Sequence, residues 1–103
     1  MTVGLDPVIH PPKRLAAIAL LASARSVTFP FLRQHLQVKD ADLSKQMAAL
    51  AEAGYVEIHK RGRGPGSVTT FRITTAGRTA YRQHRAALQK LLAAADPVNA
   101  NGD

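Results

Sequence analysis

The residues best equipped to do chemistry are Ser44 beside Lys45, the basic run Lys60, Arg61 and Arg63, and four histidines at positions 10, 35, 59 and 84. A serine nucleophile needs a general base and an acid that orients it, and nothing near Ser44 in the sequence supplies that set. The histidines are far apart, and none pairs with another His, Asp or Glu at a metal-ligand spacing. The glycine-rich run RGRGPG leads into strand-like sequence rather than a helix, so it is not a phosphate-cradling loop of the nucleotide-binding kind. With no cysteine in the chain, disulfides, thiolate metal sites and thiol redox switches are excluded. No enzyme, metal or cofactor is expected. What remains is electrostatic attraction and the reading of a surface.

The charge balance supports that direction. Fourteen Lys and Arg stand against seven Asp and Glu, a formal charge of +7, and a small basic domain most often meets a polyanion. Position matters more than the total. Lys60, Arg61, Arg63 and Arg72 lie in one strand-loop-strand segment, and Arg78, Arg82, Arg85 and Lys90 lie along the last helix. Chain length fits one domain with one modest core, for which the 46% apolar content is sufficient. No run approaches the roughly 18 apolar residues of a membrane span, and MTVGLDPVIHPP lacks the pattern of a signal peptide. A cytoplasmic location is the expectation.

The elements that must position these residues centre on LSKQMAALAEAGY, residues 43–55. Leu43, Met47, Leu50 and Ala51 form one apolar stripe of a helix expected over about 40–53. The other side presents Ala41, Lys45, Ala48 and Glu52, flanked by Asp42 and Ser44, and Gly54 supplies a left-handed stop. A packed back, a small-residue front and a basic strand behind describe a DNA recognition helix with a wing; on this stretch alone, a surface helix of an unspecified small domain fits equally. Upstream, a lead over residues 1–10 has Leu5, Val8 and Ile9 as possible anchors and reads as extended, loosely helical or disordered. Pro11 and Pro12 open a first helix over about 12–24, with Leu15, Ile18, Ala19 and Ala22 on one face. A short strand near Ser26–Thr28 precedes a second helix from Pro30 to Leu36, buried through Phe31, Leu32 and Leu36. Asp40 is the expected cap of the helix that follows. Two short helices joined by a tight connection make a helix-turn-helix.

Val56, Ile58, Val68, Phe71 and Ile73 supply the apolar positions of two strands around the basic loop at about 60–67. Thr74 or Thr75 caps a final helix that runs to about Ala95, followed by an expected flexible tail from 96. Gly77 near the start of that helix costs propensity. Tyr81, His84, Leu88, Leu91 and Ala95 repeat as the seam of a helix that pairs with another, or that packs on its own domain. Leu20, Leu21, Val8 and Ile9 add apolar surface that a partner subunit would cover.

Taken together, the order helix, short strand, helix, helix, two-stranded wing, helix resembles the α+β winged helix-turn-helix transcriptional regulators of the MarR and ArsR superfamily. The resemblance covers about residues 5–92 and is carried by DPVIHPPKRLAAIALLA, LSKQMAALAEAGYVEIHK and TTFRITTAGRTAYRQHRAAL. It implies a homodimeric regulator with Ser44 and Lys45 toward the groove and Arg61 and Arg63 in the wing. One departure is Lys39, where the subgroup of about a hundred residues that the chain most resembles commonly has a threonine or serine cap. The candidate DNA contacts are thus Lys39, Asp42, Ser44, Lys45 and Ala48 on or beside the helix, and Lys60, Arg61 and Arg63 in the wing; the candidate dimer contacts are Tyr81, His84, Leu88 and Leu91. The function expected is a homodimeric repressor on an inverted-repeat operator. The alternative is a winged-helix module that binds proteins without specific DNA binding. The sequence names neither the operator nor any small-molecule effector.

Overall fold

The computed structural model describes residues 4–95. The expected tail from 96 lies outside them, as do the first three residues of the lead. In chain order the elements are α1 (Pro12–Ala22), β1 (Val27–Thr28), α2 (Phe29–Leu36), α3 (Asp40–Glu52), β2 (Val56–Arg61), β3 (Val68–Ile73) and α4 (Thr75–Ala94), with a single 3-10 turn, Gly64–Gly66, at the loop between β2 and β3. The three strands form an antiparallel sheet in the order β1-β3-β2, with Val27 and Ile58 both opposite Phe71. One sheet face covers the helices. The core beneath it is Ile9, Ala17, Ile18, Leu21, Val27, Leu32, Leu43, Met47, Leu50, Val56 and Phe71.

Each junction has a local cause. The Thr28 hydroxyl caps α2 by accepting from the Phe31 N–H at 3.3 Å. That helix ends on Gln37 in the left-handed region, with φ 55°, and Val38 N–H donates to the Arg33 carbonyl. Helix α3 closes the same way on Gly54, φ 80°, where the Tyr55 N–H reaches back to the Leu50 carbonyl at 2.9 Å. Thr74 caps α4, accepting from Gly77 N–H at 2.9 Å while donating to the Gly54 carbonyl at 2.6 Å, so one side chain locks the end of α3 to the start of α4.

Several expectations are corrected here. In α1 the fully buried residues are Ala17, Ile18 and Leu21, with Leu15, Ala19 and Ala22 only half-buried, because the sheet and α4 approach from that side. Helix α2 begins one residue early, which turns Phe29 inward onto Phe71 with ring centroids 6.0 Å apart. Phe31 is therefore 55% exposed and stacks on His35 instead of entering the core. Asp40 is not the cap of α3; Lys39 holds that position without a side-chain hydrogen bond, and Asp40 pairs with Arg33 at 2.7 Å. Val68 faces out, since β3 alternates and Phe71 takes the inner face. Ile58, on the inner side, lies past the core and is 40% exposed.

The lead, from Gly4 on, is tied down as a turn. Asp6 accepts from Val8 N–H through its carboxylate and from Ile9 and His10 N–H through its carbonyl, and Ile9 is fully buried. The second carboxylate oxygen of Asp6 accepts from the Tyr55 hydroxyl at 2.6 Å. That bond, with burial, raises the Tyr55 pKa above the usual phenol value. Asp6 N–H donates to His84 Nδ1 at 2.9 Å, and His84 Nε2 lies 3.3 Å from His10 Nδ1. His84 is fully buried in these contacts. Thus His84, expected in a dimer seam, packs within its own chain, and Leu21 and Ile9, also fully buried, are not surplus surface. At His84 the surface that packs against α4 is the chain's own lead.

Candidate nucleic-acid interface

Helix α3 has two unlike sides. Leu43, Met47 and Leu50 are fully buried, which fixes its rotation about its own axis. The front carries Ala41, Ser44, Lys45, Ala48 and Glu52, all exposed. Small residues there let the helix backbone approach a neighbouring surface, and Ser44 and Lys45 offer a hydroxyl and an ammonium to base edges or phosphates. Beside it, a groove of about 720 Å³ runs between α3 and β2, bordered by Lys45, Ala48, Glu52 and Ile58.

Polar braces hold this helix in place. Asp42 forms a salt bridge with Lys13 of α1 and accepts from Gln46 Nε2 at 2.9 Å. The Lys13 contact, then the Gln46 amide, hold its carboxyl below the usual carboxylate range. Gln46 in turn accepts from Arg14 Nε at 2.9 Å, and Arg14 Nη1 donates to the Val8 carbonyl at 3.2 Å. Asp42 is half-buried in this network. Asp42, expected among the DNA contacts, joins α1 to α3 through its carboxylate. Arg33 with Asp40 makes the corresponding tie from α2. Sequence reasoning missed Lys13, Arg14 and Gln46, because no local pattern shows which residues of α1 lie against α3.

Lys39, Ser44, Lys45 and Ala48 are exposed at the start and front of α3, and Lys60, Arg61 and Arg63 are exposed on the wing. The wing stands out from the fold as the paired ends of β2 and β3, with Arg61 opposite Val68 and the 3-10 turn between them. The basic charge lies on the wing, whereas the exposed helix front carries one cation, Lys45, and one acid, Glu52, among small residues. In α4, Tyr81 is half-buried against the core, Leu88 is half-buried, and Leu91 and Leu92 are 38% and 60% exposed. Among the described residues no group of three His, Asp or Glu is placed to hold a metal, and no helix is long and apolar enough to cross a membrane.

A two-helix unit with a braced, small-fronted second helix, followed by a two-stranded wing, defines a DNA-binding winged helix. Residues 13–92 match the winged helix DNA-binding domain family, and the chain belongs to that family. Its fold is shared with a transcriptional regulator homologue from Pyrococcus horikoshii OT3, at TM-score 0.81 and 19% identity over 91% of this chain and 93% of that one. It is also similar to an ArsR family transcriptional regulator, at TM-score 0.61 and 25% identity over 82% of each chain. A zinc-responsive MarR family member from Lactococcus lactis aligns at TM-score 0.62 and 16% identity over 93% of this chain and 65% of that one. No curated protein matches by sequence. The family is thus that of a winged helix DNA-binding domain, and the fold is one shared with proteins described as transcriptional regulators.

Proposed function

We propose that the protein is a cytoplasmic, sequence-specific regulator that binds double-stranded DNA as a homodimer and represses by occupying its promoter. The observation that carries this reading is the exposed front of α3 on a helix whose back is fully buried and braced by Lys13–Asp42 and Arg33–Asp40. A helix held so firmly presents a fixed pattern to the major groove, which is what discrimination between sequences needs. Ser44, Lys45 and Ala48 face base edges, Lys39 approaches a phosphate at the helix start, and Lys60, Arg61 and Arg63 of the wing engage the backbone or minor groove. The dimer forms through the second half of α4, where Leu88, Leu91 and Leu92 offer aliphatic surface to a twofold partner. Twofold symmetry then calls for an inverted-repeat operator. Mobility-shift assays on genomic fragments at two salt concentrations test the reading. Retained, fragment-selective complexes at the higher salt support it; binding that is uniform across fragments and lost at the higher salt contradicts sequence specificity and favours a protein-binding module.

A further inference from the structure

The cross-strand pairs Glu57–Arg72, His59–Thr70 and Arg61–Val68 share the sheet face opposite Phe71 and the core. On that outer face lies a groove of about 680 Å³ lined by Arg25, Arg61 and Arg72 together with the hydroxyls of Ser26 and Thr70, with Lys60, which pairs with Thr69 on the core face, at its border. Arg25 and Ser26 enter it from the turn before β1, whose Thr28 pairs with Thr70. Among the described residues none of Arg25, Arg61 and Arg72 has a carboxylate within salt-bridge distance. The single acid on the face, Glu57, is paired with His59 at 3.0 Å. Three unpaired cations around one concavity repel one another, and an anion laid along it relieves that repulsion.

The lining residues of the groove are spread along the strands. From Arg61 to Glu57, the residue opposite Arg72, is four steps of β2, roughly 13 Å at about 3.3 Å per residue. One phosphate cannot reach both ends, whereas a chain of phosphates can. The lower end is continuous with the wing through Lys60 and Arg61. We propose that this outer groove holds the phosphodiester backbone of the DNA flanking the operator, so that the duplex leaving the wing bends against the sheet toward Arg72 and Arg25. The inference rests on the DNA reading above and extends it to residues outside the helix front and wing. Bending a duplex is unfavourable, and added backbone contacts are what offset it.

The test uses the full chain, a site selected from random duplexes, and two lengths of it: one trimmed to the base pairs covered by α3 and the wing, one with long flanks. Wild type should bind the long duplex more tightly. Arg25→Gln with Arg72→Gln should remove that gain, leave the trimmed duplex unaffected, and lower the salt slope on the long duplex by about two units, so that the affinity lost between 50 and 200 mM salt shrinks roughly tenfold. Both positions are exposed, so the double variant should fold as wild type, as circular dichroism will show. Equal affinities of wild type and variant for the long duplex would overturn the proposal. So would micromolar binding of inorganic pyrophosphate that the double substitution abolishes without changing long-duplex affinity, because the groove would then be a small-anion pocket. Failure of wild type to bind either length would contradict the DNA reading itself, and with it this extension.

Discussion

A methyl group at residue 77 would stand 2.1 Å from the Tyr55 carbonyl oxygen and 2.9 Å from Ile73 Cγ1. Gly77 is thus required by a close approach between α4 and the chain leaving α3, although sequence reasoning sees only its poor helix propensity, because the neighbour is 22 residues away in the chain. Gly77→Ala should destabilise by about 1 to 3 kcal/mol or more, as overpacking against a backbone that cannot yield does, despite alanine being the better helix former. A melting temperature equal to or above wild type would contradict the close approach. Met47→Asp would place a carboxylate in a fully buried position, and a cooperative transition near that of wild type is the outcome that opposes the assigned face of α3. His84 carries a pH dependence. Burial, then the neighbouring His10, lower its pKa below 6.5, with Asp6 opposing, so the unfolded chain takes up the proton first. The stability that neutral His84 provides is therefore complete above about pH 6.5 and declines as pH falls below it. Thermal melts at pH 7.5 and 5.5 should show the loss, and His84→Gln, which cannot charge, should show a smaller difference between the two.

Elements were legible where their causes are local. The apolar stripe of α3 and the stop at Gly54 sit within 13 contiguous residues, and the helix, its exposed front and its boundary follow from them. Phe31 and the pairing of Arg25 with the wing groove were not legible, since the first depends on a one-residue shift of the α2 start and the second on strand order in the sheet. The lead was open between order and disorder, and its order comes from long-range bonds of Asp6 to Tyr55 and His84. Helix and wing should separate functionally. Arg63→Ala should weaken binding to all duplexes alike and reduce the salt slope by about one unit for the lost phosphate contact. Ser44→Ala or Lys45→Ala should instead narrow the difference between a selected site and a random one. Fluorescence anisotropy across a salt series distinguishes the two patterns, and an unchanged slope for Arg63→Ala would remove the wing from the interface.

At the scale of the whole molecule, the lead, α1 and the first half of α4 close one core, while among the described residues Leu91 and Leu92 at the far end of α4 are left exposed. Aliphatic surface left in water is unfavourable by about 25 cal/mol per Å², and a second copy related by a twofold axis is the simplest cover. Light scattering at micromolar concentration should give about twice the 11.1 kDa chain mass, and Leu91→Asp with Leu92→Asp should give a folded monomer that binds DNA far more weakly. A dimer sets the spacing of its two α3 helices, and that spacing is written into whatever DNA it prefers. Selection from a random duplex library with the unmodified protein therefore tests the account most directly. The prediction is enrichment of an inverted repeat with half-site centres about 34 to 36 Å, or one helical turn, apart. Recovery of no common sequence after successive rounds, with the protein still binding duplexes at low salt, would contradict it.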